Sequence, residues 1–180
     1  MRFALVTALL TLAPAAAVSA QPRVPDAEMW GVGGDVGIFF PQEGALDTAL
    51  ELQGLAEYYL NPRVSIRTAF GWTSPSFEGR EDDGLRITRL TVDVQYNWEG
   101  GKIHPFIGGG VGAYFLRLIE NGEGFGDTES DAGLVFGGGI EYFTSRTVTI
   151  KGEVRYHIVA VDTLPDGHGL SLTIGLKKYF

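Results

Sequence analysis

Arg89-Leu90-Thr91-Val92-Asp93-Val94-Gln95-Tyr96-Asn97-Trp98 is the stretch that decides the fold. Its even-numbered residues are all apolar or aromatic and its odd-numbered residues are all polar or charged. A period of two puts each set on one face of an extended strand. The polar set carries both signs of charge, Arg89 and Asp93, and is too regular for a core strand of a soluble sandwich.

The same alternation recurs on either side of this run. Trp30, Val32, Val36, Ile38 and Phe40 oppose Gly33, Asp35 and Gly37; Leu50, Leu52, Ala56, Tyr58 and Leu60 oppose Glu51, Gln53 and Glu57. Val64, Ile66, Thr68, Phe70 and Trp72 oppose Ser65, Arg67 and Ala69. Further along, Leu134, Phe136, Ile140 and Tyr142 share a parity, and Val148, Ile150, Val154 and Tyr156 stand against Thr149, Lys151, Glu153 and Arg155. The last run sets Leu170, Leu172, Ile174, Leu176 and Phe180 against Ser171, Thr173, Gly175, Lys177 and Tyr179. Residues 104–116 are ambiguous, because apolar residues fall on both parities around Gly108, Gly109, Gly110 and Gly112; Pro105 is tolerated where a strand begins.

Eight strands follow, and the expected connections alternate in length. Residues 41–49, 73–87, 117–132 and 158–168 form the long ones, whereas 61–63, 99–102 and 144–147 are short and rich in turn formers such as Asn61-Pro62 and Gly100-Gly101. All short turns therefore fall at one end. The predicted architecture is all-β, an eight-stranded antiparallel up-and-down barrel with one plain and one elaborated end. Four of its strands are of the length that a tilted membrane crossing requires. Trp30, Tyr58, Trp98, Tyr142 and Phe180 then ring one rim, and Phe40, Trp72, Tyr114 and Tyr156 the other. Two aromatic girdles of this kind suit the headgroup layers of a bilayer. A soluble lipocalin-like barrel has the same parity turned inside out, with its apolar face lining a ligand cavity. The girdles and the one-sided loops favour the transmembrane version.

The N-terminus agrees with export. Arg2 precedes an apolar stretch from Phe3 to Ala13, then Pro14 and small residues ending Val18-Ser19-Ala20, the layout of a secretory signal cleaved after Ala20. The expected organisation is a signal peptide over 1–20, a short periplasmic segment over 21–29 and a barrel over 30–180. Composition fits. The 180 residues hold 26 glycines, about twice ordinary usage, and no cysteine, which removes disulfides, thiolate metal sites and cysteine nucleophiles. A formal charge of −8 without a segregated basic patch argues against nucleic acid as a partner.

These residues resemble the small eight-stranded outer-membrane β-barrel family typified by OmpA and OmpX. The resemblance rests on Gly37-Ile38-Phe39-Phe40-Pro41, on His104-Pro105-Phe106 leading into Gly108–Gly112, on Gly137-Gly138-Gly139-Ile140-Glu141-Tyr142, on Glu153-Val154-Arg155-Tyr156-His157, and on a closing strand that ends in Phe180. It implies location in the cell outer membrane, contact with outer-membrane lipids and lipopolysaccharide, and insertion by the barrel assembly machinery through that closing strand. Lys178 departs from the usual apolar residue at its place, where it can snorkel to the membrane edge. No cell-wall-binding domain of the kind long family members carry is expected. A monomer with a structural or surface-interaction role is expected.

Little in the sequence points to other chemistry. Eight strands enclose a lumen just wide enough for side chains, so the inward charges Asp35, Glu51, Glu57, Arg67, Arg89, Asp93, Lys151, Glu153 and Arg155 are expected to pair and fill it, and a porin is not expected. The glycine cluster 108–112 opens no helix and is not a nucleotide site; it is expected to bend strands and make room for bulky neighbours. Some small outer-membrane barrels modify lipid A. Here His168 and Ser171, with Asp166 or Glu153 as the orienting acid, would be the candidates, yet a three-residue spacing on a strand sends them to opposite faces. His104 and His157 lack partners at metal-ligand spacing, and neither a catalytic residue, a cofactor nor a metal is assigned. The long loops hold Glu43, Asp47, Glu78, Glu81, Asp82, Asp83, Glu120, Glu123, Asp127, Glu129, Asp131, Asp162 and Asp166, opposed by Arg80, Arg86 and Arg117. Residues 121–131 are expected to be a solvated acidic loop, or one that uses divalent ions to reach phosphorylated headgroups or a cationic partner.

Overall fold

The computed structural model describes residues 25–42, 44–98, 100–159 and 167–180. The expected signal peptide 1–20 and the loop acids Glu43, Asp162 and Asp166 lie outside the described residues. Nine strands are present among them: β1 (Trp30–Pro41), β2 (Ala49–Asn61), β3 (Val64–Thr73), β4 (Ser76–Phe77), β5 (Arg80–Asn97), β6 (Ile103–Glu120), β7 (Glu123–Phe143), β8 (Val148–Val159) and β9 (Gly169–Tyr179). The short β4 lies along β5; the other eight pair antiparallel with their neighbours in chain order, β3 joins β5, and β1 joins β9. The sheet thus closes on itself. At the seam, Phe180 N donates to Trp30 O at 2.8 Å and Trp30 N to Phe180 O at 3.3 Å.

The two parities of the sequence become the two surfaces of the barrel. Val111 is 61% exposed and Ile174 and Leu176 59%, whereas Arg67 is 1% exposed. All nine charges expected inside are buried. This inversion overturns the lipocalin-like alternative, whose apolar face would line a cavity. The stretch of β5 shared with the barrel, residues 87–97, runs about 36 Å, or about 28 Å tall at a tilt near 40°, which matches a hydrocarbon layer. Trp30 meets Tyr58 at 4.9 Å and Tyr96 meets Trp98 at 5.0 Å on the short-turn rim; Phe136 meets Tyr156 at 5.5 Å toward the other end.

Strand β6 resolves its ambiguity in favour of the interior for Phe106, Tyr114 and Leu116. Tyr114 is therefore not a girdle residue, as its type and place suggest; it is fully buried, and its neighbour Phe115 is the ring that faces out. Glycines allow this. A Cβ at Gly112 would lie 3.0 Å from Tyr114 Cε2 and one at Gly133 2.6 Å from the same atom, so side chains at either place would expel the ring.

The long connections differ most from expectation. Residues 117–132 are not a loop: β6 continues to Glu120 and β7 starts at Glu123, joined by Asn121-Gly122 with φ of 52° and 79°. Two successive left-handed residues make the tight turn that Asn-Gly favours. β5 likewise begins at Arg80, inside the expected loop 73–87. Strands β5, β6 and β7, of 18, 18 and 21 residues, therefore rise past the rim as a ribbon, with an irregularity in the β6–β7 pairing between Leu116 and Leu118.

The inverted surface makes a specific demand. Val92, near the middle of the barrel stretch of β5, faces out, and Val92→Arg is expected to lower the stability of the barrel in lipid vesicles by about 2–4 kcal/mol. Denaturant titration of the refolded protein in vesicles measures this. A change within a few tenths of a kcal/mol, as at an ordinary water-facing site, would contradict the membrane assignment of that face.

Candidate functional site

The interior is built in tiers, each formed by inward residues of strands distant in sequence. At mid-height Arg67 on β3 spans Glu153 on β8 with two parallel bonds, Nη1 to Oε2 at 2.9 Å and Nη2 to Oε1 at 2.7 Å, and its Nε reaches Asp93 Oδ2 at 3.2 Å. Arg155 Nη2 donates to Asp93 Oδ1 at 2.7 Å, and Lys151 Nζ lies 2.8 Å from both Asp35 Oδ2 and Glu153 Oε2. Gln53 Nε2 completes the cluster by donating to Asp35 Oδ2 at 2.9 Å.

Toward the short-turn end, Lys177 is paired with Glu57 and with Glu141, Tyr179 OH donates to Glu141 Oε2 at 2.5 Å, and Ser65 bonds Glu57. Toward the ribbon end, Arg89 is paired with Glu51, whose Oε2 also accepts Ser171 Oγ at 2.5 Å. Above them Tyr114 OH and His157 Nδ1 lie 2.9 Å apart. Five buried Lys and Arg side chains thus face six buried carboxylates. Charges taken out of water must be matched in this way, since each ion left alone carries a desolvation cost of several kcal/mol.

Apolar layers close both ends of this polar column. Phe39, Leu46, Leu85, Ile87, Tyr114, Leu116 and Val159 form one, joined by Phe77 of β4 and Leu118 of β6. Tyr59, Phe143 and Tyr179 form the other, with Met29 packed against them. Met29 is held there because Glu28 N donates to Tyr59 O at 2.8 Å and Tyr59 N to Met29 O at 3.0 Å.

Lys177 and Glu141 are the network members that sequence reasoning passes over. Both sit on inward parities, but each stands within three residues of its strand's end, where a charge suits a rim as well as a lumen. The enzyme candidates are not brought together. His168 Nδ1 accepts Val159 N at 3.2 Å, while Ser171 Oγ is committed to Glu51 inside the barrel; Asp166 lies outside the described residues. Glu153 serves Arg67 and Lys151. His104 Nε2 contacts Gly101 O at 3.0 Å near the short turn, and no group of three or more His, Cys, Asp or Glu able to hold a metal occurs among the described residues.

Most of the described acidic residues of the elaborated end sit on strands, Asp47 and Glu78 excepted. Tyr114 pairs with Asp131, Leu116 with Glu129 and Glu120 with Glu123 across β6 and β7. Asp83 Oδ1 accepts Asn121 N at 2.9 Å and Asp82 O accepts Gly122 N at 2.7 Å, which ties the tip of the β6–β7 hairpin to β5.

Arg67 is the centre of the column, so Arg67→Met leaves Glu153 and Asp93 short of their counter-charge. The expected loss is about 3–5 kcal/mol, the range for removing one partner of a buried pair. It is read as a lower midpoint temperature for conversion of the folded band to the unfolded band on a gel; an unchanged midpoint would mean that the column contributes nothing to stability.

Comparison with known proteins agrees with this geometry. The model of the outer membrane protein β-barrel domain family matches residues 5–177. No curated protein sequence matches the chain. Among solved structures, the N-terminal β-barrel domain of OprF from Pseudomonas aeruginosa superposes with a TM-score of 0.63 at 13% identity, covering 86% of this chain and 98% of that one. Neisserial surface protein A gives 0.67 at 14%, covering 84% and 96%, and Ail, the attachment invasion locus protein of Yersinia pestis, gives 0.57 at 15%, covering 86% and 99%. At such identities the superpositions speak for the fold, and the family match over nearly the whole chain speaks for descent. An apolar-out, charge-filled eight-stranded barrel that this family's model matches over residues 5–177 is an outer-membrane protein, and the chain belongs to the outer membrane protein β-barrel domain family.

Proposed function

We propose that this outer-membrane barrel is a non-catalytic, non-porin monomer with a structural or surface-interaction role, displaying the β5–β7 ribbon outside the cell. The observation that carries the reading is the filled lumen. Three tiers of ion pairs between two apolar layers leave side chains where a channel would need water. Engagement of Ser171 by Glu51 and of His168 by Val159 supports the absence of hydrolytic chemistry.

Sidedness follows from length. Short turns occupy one end with both barrel termini, and the ribbon occupies the other, so the short-turn end faces the periplasm and the ribbon the exterior. The signal peptide, cleaved after Ala20, delivers the chain to the periplasm. The closing strand, with Leu172, Ile174, Leu176 and Phe180 outward, is what the assembly machinery would engage. Ail has also been solved with the heparin analogue sucrose octasulfate. The ribbon tip here carries Glu81, Asp82, Glu120 and Glu123, and a net-acidic tip suits a cationic partner or bridging divalent ions better than a polyanion.

Two measurements test this reading. Purified protein in planar bilayers is expected to give no sustained conductance, and a stable open level of porin size would refute the sealed lumen. Lipid A from cells with and without the protein is expected to give identical mass spectra; a lost or added acyl chain would instead make this an enzyme.

A further inference from the structure

The outward residues of the elaborated rim form rungs. Trp72 and Phe115 both pair with Thr88, so β3, β5 and β6 carry a Trp-Thr-Phe rung on the lipid-facing surface. Two residues further out, Arg86 on β5 is directly opposite Arg117 on β6. The two residues therefore lie on the same outward face, about 7 Å above an aromatic girdle, which is the depth of the headgroups.

Like charges directly opposite each other on a sheet repel, and here no carboxylate of the described residues offsets them. Among the described residues, no acid lies within ion-pair distance of Arg86 or Arg117, whereas Arg80, the remaining cation of this end, already pairs with Asp83 at 3.4 Å and covers the ring of Phe77 at 5.0 Å. Arg117 is positioned by the ribbon itself, its Nη2 donating to Gly124 O at 3.4 Å. A Cβ at Gly124 would come within 2.7 Å of Arg117 Cζ, so the side chain lies across a strand position that glycine leaves open. Arg86 Nε is shielded from solvent and has no hydrogen-bond partner. Two forked donors on paired positions of neighbouring strands, at headgroup depth and free of acids, match the oxygens of a phosphate group.

We propose that Arg86 and Arg117 form a binding site for the phosphate of an outer-leaflet lipid headgroup. The acyl chains of that lipid would run down the outward surface past Phe115, Val111 and Val92. The site rests on the outside-facing placement of the ribbon proposed above, and it accounts for a cation pair on an otherwise acidic end. It also fixes where a bound phosphorylated lipid sits around the barrel, on the β5–β6 side beneath the ribbon.

The test uses the full mature chain folded in detergent and diphosphorylated lipid A as the probe, with bound lipid counted by native mass spectrometry. Wild-type protein is expected to retain one lipid A, and Arg86→Gln with Arg117→Gln to weaken retention by at least about tenfold, as befits the loss of two charge-assisted contacts. Lys178→Gln, at the opposite rim, is expected to change nothing. Because the double variant could fold poorly, its heat-dependent gel shift is read alongside, and wild-type protein is also tested with dephosphorylated lipid A, which is expected to be lost to the same degree. Equal retention by the folded double variant, or of the dephosphorylated lipid, overturns the site. Displacement of the lipid by millimolar inorganic phosphate overturns the lipid assignment in favour of free phosphate. Failure of the sidedness is a separate result: protease added to intact cells would then leave the ribbon uncut, whatever the lipid does.

Discussion

A hydrocarbon layer offers no hydrogen bonds, so every backbone N–H and C=O of a spanning sheet must find its partner in the sheet itself. The seam between β1 and β9, from Gly31–Tyr179 to Pro41–Gly169, answers that requirement by joining the first strand to the last. Closure then dictates the rest. A closed sheet of eight strands has a narrow inside, and strict alternation sends every second residue into it. With the outer face reserved for lipid contact, the charges that the family of strands carries have to neutralise one another within.

The lumen meets this demand by distributing its charges vertically. The middle tier is held by Arg67 and Glu153, and the tiers on either side by Lys177 with Glu57 and Glu141 and by Arg89 with Glu51. Aromatic rings mark the transitions: Tyr59 and Tyr179 hang their hydroxyls toward the polar column and their rings toward the short-turn layer, and Tyr114 does the same at the ribbon end. Phenol rings suit that boundary because one end is apolar and the other hydrogen-bonds. Glycine adjusts the local width. A Cβ at Gly71 would lie 2.7 Å from Arg89 Nε, so the large guanidinium of one strand is accommodated by the missing side chain of its neighbour.

The fold and the filling of the lumen are legible in the sequence because period-two alternation translates directly into sides of a sheet. Asp93 is inside because Val92 and Val94 are outside. What escaped is what alternation does not encode. Tyr114 stands in a run where Gly108, Gly110 and Gly112 occupy the inward parity, so no apolar-polar contrast reveals its side, and its place near a rim suggests the headgroup layer. The ribbon escaped because acidic, glycine-containing stretches read as loops, although Asn121-Gly122 is the strongest short hairpin signal the chain contains. Arg86 and Arg117 fall in such stretches, and their opposition exists only once the register of β5 against β6 is known.

The tiers also join residues that lie far apart along the chain. Arg67 and Glu153 are separated by 86 positions, and Ser171 and Lys177 each reach a partner 120 positions earlier, Glu51 and Glu57 respectively. A barrel lacking its final strand would hold Glu57 and Glu141 in a low-dielectric interior without Lys177, and Glu51 without the hydroxyl of Ser171. Closure without β9 therefore carries the desolvation cost of unpaired buried carboxylates, several kcal/mol each. The ion-pair column thus ties the charge balance of the early strands to the presence of the last one.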